Sequence, residues 1–236
     1  MPPGDATVLA GDCRAILPVL PSRAYGLVLT DPPYGIGYRS SFVRNRAKAK
    51  RESDRQRHKW EAIAGDDALD LAWLTDARRV TADVGAWFIF CDLRALDTVW
   101  RAVEAAGMDP RSCVVWDRET HGMGNLQRSF SPRADGAVFA TCGDWLFPHR
   151  RRPPNVLRFP RVHHSAARHP TEKPLALMRY LVETLARPGD VILDPFCGVG
   201  STLVAAAQLG HDALGIELAP GYAREAAVRV HAEKWG

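Results

Sequence analysis

The sequence predicts an α/β fold, a mostly parallel sheet covered by helices on both faces, and two observations carry that expectation. Short apolar runs bounded by turn residues alternate with longer segments of helical period. Several of the helical segments are delimited by Gly or Pro. A length of 236 residues, 46% of them hydrophobic, encloses one α/β core plus an appendage but hardly two independent domains. One domain over residues 1–236 is therefore expected.

Strands are expected at Thr7–Ala10, Leu27–Thr30, Ala86–Cys91, Cys113–Trp116, Ala137–Thr141, Val191–Leu193 and Ala213–Ile216. Helices fit Leu69–Asp83, Leu93–Ala106, Pro174–Ala186, Ser201–Leu209 and Pro220–Glu233. Between Gly37 and Asp67 the pattern fails. There Arg39, Arg44, Arg46, Lys48, Lys50 and Arg51 crowd a stretch of low apolar content. A segment of this kind inside a domain reads as a basic mobile loop, a functional lid or simply a solvated stretch. A second irregular stretch, His149 to Arg168, carries Arg150, Arg151 and Arg152 followed by two prolines, a composition suited to phosphate contacts.

The net charge is only +4, so the uneven placement of the basic residues, rather than their total, suggests a face offered to a polyanion. Five scattered cysteines without a C-x-x-C pair indicate neither a disulfide framework nor a metal site. Reduced thiols, no basic-then-apolar leader and no apolar run long enough for a bilayer give the expectation of a cytoplasmic protein with no membrane partner.

Asp31-Pro32-Pro33-Tyr34 directly follows the apolar run ending at Thr30, which places it at the carboxyl end of a strand, where open α/β sheets bind ligands. An aromatic exocyclic amine is a poor nucleophile because its lone pair is delocalised into the ring. A carboxylate and a carbonyl accepting its two N–H bonds return that density to nitrogen and stabilise the positive charge that develops. Asp31 and the Pro32 carbonyl can do this, and the prolines fix φ and remove a competing donor. Tyr34 supplies a π face for a base swung out of a duplex, stacking being worth roughly 1–3 kcal/mol. By itself, Pro-Pro is also an ordinary turn.

The second constellation is Asp194-Pro195-Phe196-Cys197-Gly198-Val199-Gly200-Ser201-Thr202, running from an apolar strand into a helix. Gly198 and Gly200 permit close backbone approach, and the helix N-terminus offers free N–H groups, so this reads as a nucleoside or amino-acid cradle. It lacks the lysine of a phosphate-binding loop and the third glycine of a dinucleotide fingerprint. Glu217 ends the next strand, where it can accept from ribose hydroxyls or cap the helix that Pro220 opens. In His169-Pro170-Thr171-Glu172-Lys173-Pro174, Thr171 and Lys173 can hold a carboxylate, or the segment is simply a helix start.

The ordered set DPPY, HPTEKP and DPFCGVGST resembles the amino-methylating DNA methyltransferases, of the group whose catalytic motif precedes the cofactor motif. The resemblance spans nearly the whole chain, including Gly11-Asp12-Cys13, Trp116-Asp117 with Gly122-Met123-Gly124, and Gly215-Ile216-Glu217. It implies a Rossmann-like methyltransferase fold with circularly permuted motif order and a seven-stranded sheet, six strands parallel and one reversed. It implies S-adenosyl-L-methionine as cofactor, held by Asp12, Cys13, Asp31, Thr171, Lys173, Asp194, Phe196, Gly198, Gly200, Ser201, Thr202 and Glu217. Asp31, Pro32, Pro33 and Tyr34 become catalytic, and double-stranded DNA with a flipped base becomes the partner. Within the resemblance, Asp31 at the first motif position leans toward adenine N6 and Ser toward cytosine N4. The motif commonly has Gln where Glu172 stands. The segment implied to recognise sequence, 142–168, is short. A catalytically idle nucleic-acid-binding module would account for the basic stretches but not for Asp31 beside an intact cradle. A homodimer and a cognate restriction endonuclease stay open as further partners.

Overall fold

In the computed structural model, residues 2–35, 66–121, 128, 130–149, 152–163, 166–169 and 171–234 are described. Chain order is β1 (Ala6–Ala10), α1 (Cys13–Ile16), β2 (Tyr25–Thr30), α2 (Trp73–Val80), β3 (Thr81–Cys91) and α3 (Leu96–Ala105). There follow β4 (Asp109–Asp117), β5 (Ala134–Cys142), β6 (Val156–Arg158), α4 (Leu175–Leu185), β7 (Ile192–Asp194), α5 (Ser201–Gln208), β8 (Ala213–Glu217) and α6 (Pro220–Glu233).

These strands form one sheet in the order β1-β8-β7-β2-β3-β5-β4-β6, with β5 antiparallel to both its neighbours and every other pairing parallel. The described sheet thus has eight strands rather than the expected seven. The addition is β6, in the stretch that looked irregular. Its three residues stand between Pro153-Pro154 and Pro160, too few for alternation to register, and they add as an edge strand on β4. The reversal of a single strand agrees with the expectation.

Alternation in β2 sends Leu27 and Leu29 to one face and Val28 to the other, each fully buried. The first face is covered by α4 and α5 through Leu177, Leu181, Leu203 and Val204. The second is covered by α2 and α3 through Trp73, Leu74, Ala77, Val99 and Val103. In α4 the buried residues Leu177, Met178, Leu181, Val182 and Leu185 recur at helical spacing, and Arg187-Pro188-Gly189 follows its end. No helix among the described residues is long and apolar enough to cross a membrane.

The helix expected at Leu69–Asp83 is shorter, because Thr81 turns to extended backbone and begins β3. Its hydroxyl donates to Ala77 O at 2.7 Å, closing the helix, and accepts from Trp87 Nε1 at 2.8 Å. Both side chains are fully buried, so Thr81→Val strands the indole N–H in the core. We expect a loss of about 1–3 kcal/mol, read as a lower urea midpoint at unchanged slope. An unchanged midpoint would show the pair to be neutral.

Candidate active site

From β2 the chain proceeds to β3 on one side, whereas from β7 it proceeds to β8 on the other. The carboxyl ends of β2 and β7 therefore flank the point where strand order reverses, the usual crevice of an open α/β sheet. Asp31 follows β2, Asp194 ends β7, Glu217 ends β8 and Asp12 follows β1. Four carboxylates from distant parts of the sequence thus come to the ends of four consecutive strands, β1-β8-β7-β2.

Their roles differ. Asp194 is 3% exposed and turned into the protein: Thr30 Oγ1 donates to its Oδ1 at 2.6 Å, Thr202 Oγ1 to its Oδ2 at 2.5 Å, and the Phe196 N–H to Oδ1 at 3.1 Å. Asp194 and Thr202 thus tie the DPPY strand to the cradle. Ser201 is likewise buried, its Oγ accepting from Arg229 Nη1 at 3.1 Å. Gly200 has φ +81, and a Cβ on it would press against Ala226 Cβ at 3.1 Å, so its smallness serves the packing of α5 on α6. Asp12 caps α1 and is gripped by the Arg14 guanidinium at 2.6–3.1 Å, while Cys13 is buried in the core with its thiol pushed up to about 12 by burial.

Gly198 is different. It has φ +53, and a Cβ built on it would meet nothing within 4 Å, so the cradle is open there. Its N–H donates to Glu217 Oε2 at 3.0 Å, and Ala219 N donates to Glu217 Oε1 at 2.8 Å. Glu217 therefore does cap the start of α6, as the simpler reading had it, and each oxygen still has acceptor capacity left. Burial raises its pKa above the ordinary carboxylate value, and the two N–H bonds partly oppose that rise. Half-buried Phe196 meets Trp73 edge-on at 5.2 Å. The buried Trp73 indole N–H has no hydrogen-bond partner among the described residues.

In the DPPY motif Pro32 is buried, and Asp31 is partly so. Asp31 Oδ1 accepts from the Tyr34 hydroxyl at 2.7 Å, and its Oδ2 is in contact with Lys173 Nζ. Burial, then the Asp31 charge, raises the Tyr34 hydroxyl well above its ordinary pKa. Gly35 closes the motif with φ +69, and its N–H donates to buried Asp66 at 2.8 Å. A Cβ at Gly35 would lie 2.1 Å from Leu69 N, so no side chain fits that turn. Gly35 and Asp66, the described residues that flank the segment 36–65, are thus joined next to Tyr34. Arg39, Arg44, Arg46, Lys48, Lys50 and Arg51 fall within it, outside the described residues, as do Arg150 and Arg151. Arg152 is described and exposed. It lines a cavity with Arg111, Ser112 and Thr141, toward the opposite end of the sheet from Asp31, and is not brought to this site.

The HPTEKP segment is held by a buried ion pair that the sequence did not reveal. Glu172 Oε1 accepts from Arg229 Nη1 at 2.9 Å, with side chains 5% and 7% exposed, and Arg229 also reaches Ser201 and Glu233. Glu in place of the common Gln thus has its charge matched. Arg229 lies one helical turn beyond buried Ala226, which is the sequence signal for its inward direction. The Thr171 hydroxyl lies 3.0 Å from His169 Nδ1, and burial depresses the His169 pKa to about 4. Asp66, Thr30 and Arg229 are the residues that sequence reasoning passed over.

A mostly parallel sheet with one reversed strand, and an open glycine cradle beside a carboxylate at its switch point, defines a Rossmann-like methyltransferase. The solved M1.HpyAVI–SAM complex shares this fold at TM-score 0.69 and 22% identity, covering 95% of this chain and 99% of that one. The family model described as DNA methylase matches residues 143–228. The protein named “Putative methylase YubD” of Escherichia coli (strain K12) is 30% identical over 228 residues, 95% of this chain and 89% of its own length. Type II methyltransferase M.HpaI of Haemophilus parainfluenzae is 25% identical, over 97% of this chain and 75% of its own.

The chain belongs to the DNA methylase family of N6 and N4 amino-methylating enzymes, and it is an S-adenosyl-L-methionine-dependent DNA methyltransferase. The residues present fit that cofactor: the backbone at Gly198 is open to close approach by a ligand, and carboxylates on the surrounding strand ends suit a sulfonium cation.

Burial is the largest influence on Asp194 and pushes its carboxyl up to about 6 from an ordinary 3.8, the Thr202 and Thr30 hydroxyls opposing the rise. The folded chain therefore keeps this proton over a window in which the unfolded chain has lost it. The resulting stability is complete below the ordinary value and is lost as pH rises through about 6. The stability of the parent minus that of Asp194→Asn should grow by about 1–3 kcal/mol as pH is lowered from 7 to 4. Denaturant titrations at several pH values check this, and a flat difference would refute it.

Proposed function

We propose that this chain is a site-specific DNA methyltransferase that methylates the N6 amine of a flipped adenine. The observation that carries the reading is the juxtaposition of Asp31 with the open Gly198 cradle, bridged through Thr30 and Asp194 at 2.6 Å. The lean to adenine rests on Asp31 standing where the cytosine enzymes tend to have Ser.

When bound, S-adenosyl-L-methionine supplies an electrophilic methyl. Glu217 and Phe196 are the residues of the cradle with capacity left to hold its nucleoside, Glu217 through its unused lone pairs toward ribose hydroxyls. Asp31 and the Pro32 carbonyl accept the two amine N–H bonds, which localises the nitrogen lone pair and stabilises the charge that appears on nitrogen until one N–H proton is lost through these acceptors to water. Pro33 has no N–H, so it adds no donor to compete for these acceptors. Asp31 Oδ1 accepts one Tyr34 hydroxyl and has acceptor capacity left for an amine N–H, so Tyr34 stands beside the base that it stacks on.

Arg39, Arg44, Arg46, Lys48, Lys50 and Arg51 contact DNA phosphates in this reading, which their basic composition supports, as does the Gly35–Asp66 bond that joins the flanking residues next to Tyr34. Similarity to M.HpaI along nearly the whole chain supports a place in restriction and modification.

The test is expression in a host free of DNA methylation, with modified bases read across the genome by single-molecule sequencing. Methyladenine in one short motif is the expected result. N4-methylcytosine would keep the chemistry and change the base, and an unmodified genome with soluble protein would overturn the assignment. Asp31→Ala should abolish modification while cofactor affinity, measured by calorimetry, falls only modestly. Turnover within about tenfold of the parent would remove Asp31 from the mechanism.

A further inference from the structure

Lys173 belongs to the segment leading into α4, and sequence reasoning gives it a carboxylate of the methyl donor to hold. Its surroundings say otherwise. The side chain is 7% exposed, and its ammonium contacts Asp31 Oδ2. The same nitrogen lies 4.9 Å from the centroid of Phe90 and 5.7 Å from those of Tyr34 and Trp116. Phe90 lies near the carboxyl end of β3 and Trp116 near that of β4. Lys173 therefore reaches across three strand ends to the catalytic carboxylate, and three ring faces replace the water its charge has given up.

An ammonium so enclosed has little freedom to leave. Asp31, by contrast, has two oxygens with distinct partners: Oδ2 faces the caged cation, and Oδ1 accepts a single Tyr34 hydroxyl at 2.7 Å. The hydroxyl sits on a side chain that can rotate, so Oδ1 is the exchangeable acceptor. A carboxylate that must accept an N–H in one direction gains from having its other oxygen fixed, because misplacement by about 1 Å can cost about a hundredfold in rate.

The geometry points to Lys173 as the positioning residue of Asp31: it locks Oδ2, so that Oδ1 alone turns to the target amine, and it is not a ligand of the methyl donor. The inference rests on the proposed role of Asp31 in amine methylation. It adds to that role the buried residue that sets the carboxylate's direction.

Lys173→Met keeps the length and the packing against the rings but removes the cation. Turnover on methylation-free DNA should fall about a hundredfold, in kcat, with KM for DNA and the calorimetric affinity for S-adenosyl-L-methionine each within about threefold of the parent. Lys173→Arg, which restores a cation, should recover part of kcat. Loss of cofactor affinity in step with turnover would overturn the inference and return Lys173 to the donor. Parent-like turnover in Lys173→Met would overturn it as well.

If Lys173→Met does not fold, Asp31→Asn combined with Lys173→Met removes both charges of the pair, Asp135 keeping Arg118 at 3.5 Å, and reads the same point through cofactor binding. Affinity in the double variant equal to that of Asp31→Asn alone supports the inference, and a further loss beyond Asp31→Asn overturns it. Failure of the parent itself to methylate DNA would be a failure of the proposed function, and the binding measurements keep the two apart.

Discussion

The site depends on one buried carboxyl. Asp194 receives a hydroxyl on each oxygen, Thr30 from the strand that carries the DPPY motif and Thr202 from the helix that carries the cradle. Nothing in the covalent chain sets those two elements side by side, since they are 164 residues apart on one arm of the bridge. A buried acid with all partners supplied is a demanding arrangement, because removing any of them leaves a desolvated group unmatched. That demand gives the junction a single geometry. Because Thr30 immediately precedes Asp31, the bridge also fixes where the Asp31 carboxylate stands relative to the cradle.

Around this junction the fold repeats one device, in which a polar side chain buried between two segments specifies their distance. Arg229 clamps Glu172 to α6 and to Ser201, so Glu172, the cradle helix and the last helix are tied at one point. Asp66 returns the chain to Gly35 after the basic segment. Lys173 then spans from the clamped segment to Asp31. The elements that a permuted motif order scatters through the sequence are gathered by charges matched in the interior, on a sheet whose two faces are already filled by apolar side chains.

Much of this was legible in advance. Apolar runs located every strand except β6, whose three residues are too few to show alternation, and Gly and Pro bounded the helices well except where Thr81 turned α2 into β3. DPPY and DPFCGVGST fell at the carboxyl ends of β2 and β7, as their positions after apolar runs required. What could not be read was direction. Ser201 and Thr202 follow the cradle glycines and Asp194 precedes them, but nothing in their order shows that each makes a buried hydrogen bond to another segment of the protein. Gly200 looks like a ligand glycine and serves helix packing, whereas neighbouring Gly198 is open, and only the position of Ala226 distinguishes them. Lys173 and Arg229 show the same limit, since a charged residue carries no mark in sequence of the partner that draws it inward.

The central claim is that the two motifs build one site, with the methyl donor on the Gly198 cradle facing Asp31. A crystal structure with S-adenosyl-L-methionine bound tests it most directly. One N–H···O bond and one near-attack separation span the gap, so the sulfonium methyl carbon should lie roughly 6 Å or less from an Asp31 carboxylate oxygen, with the nucleoside between Phe196 and Glu217. A donor bound with its methyl directed away from Asp31, or held elsewhere on the sheet, would contradict the account.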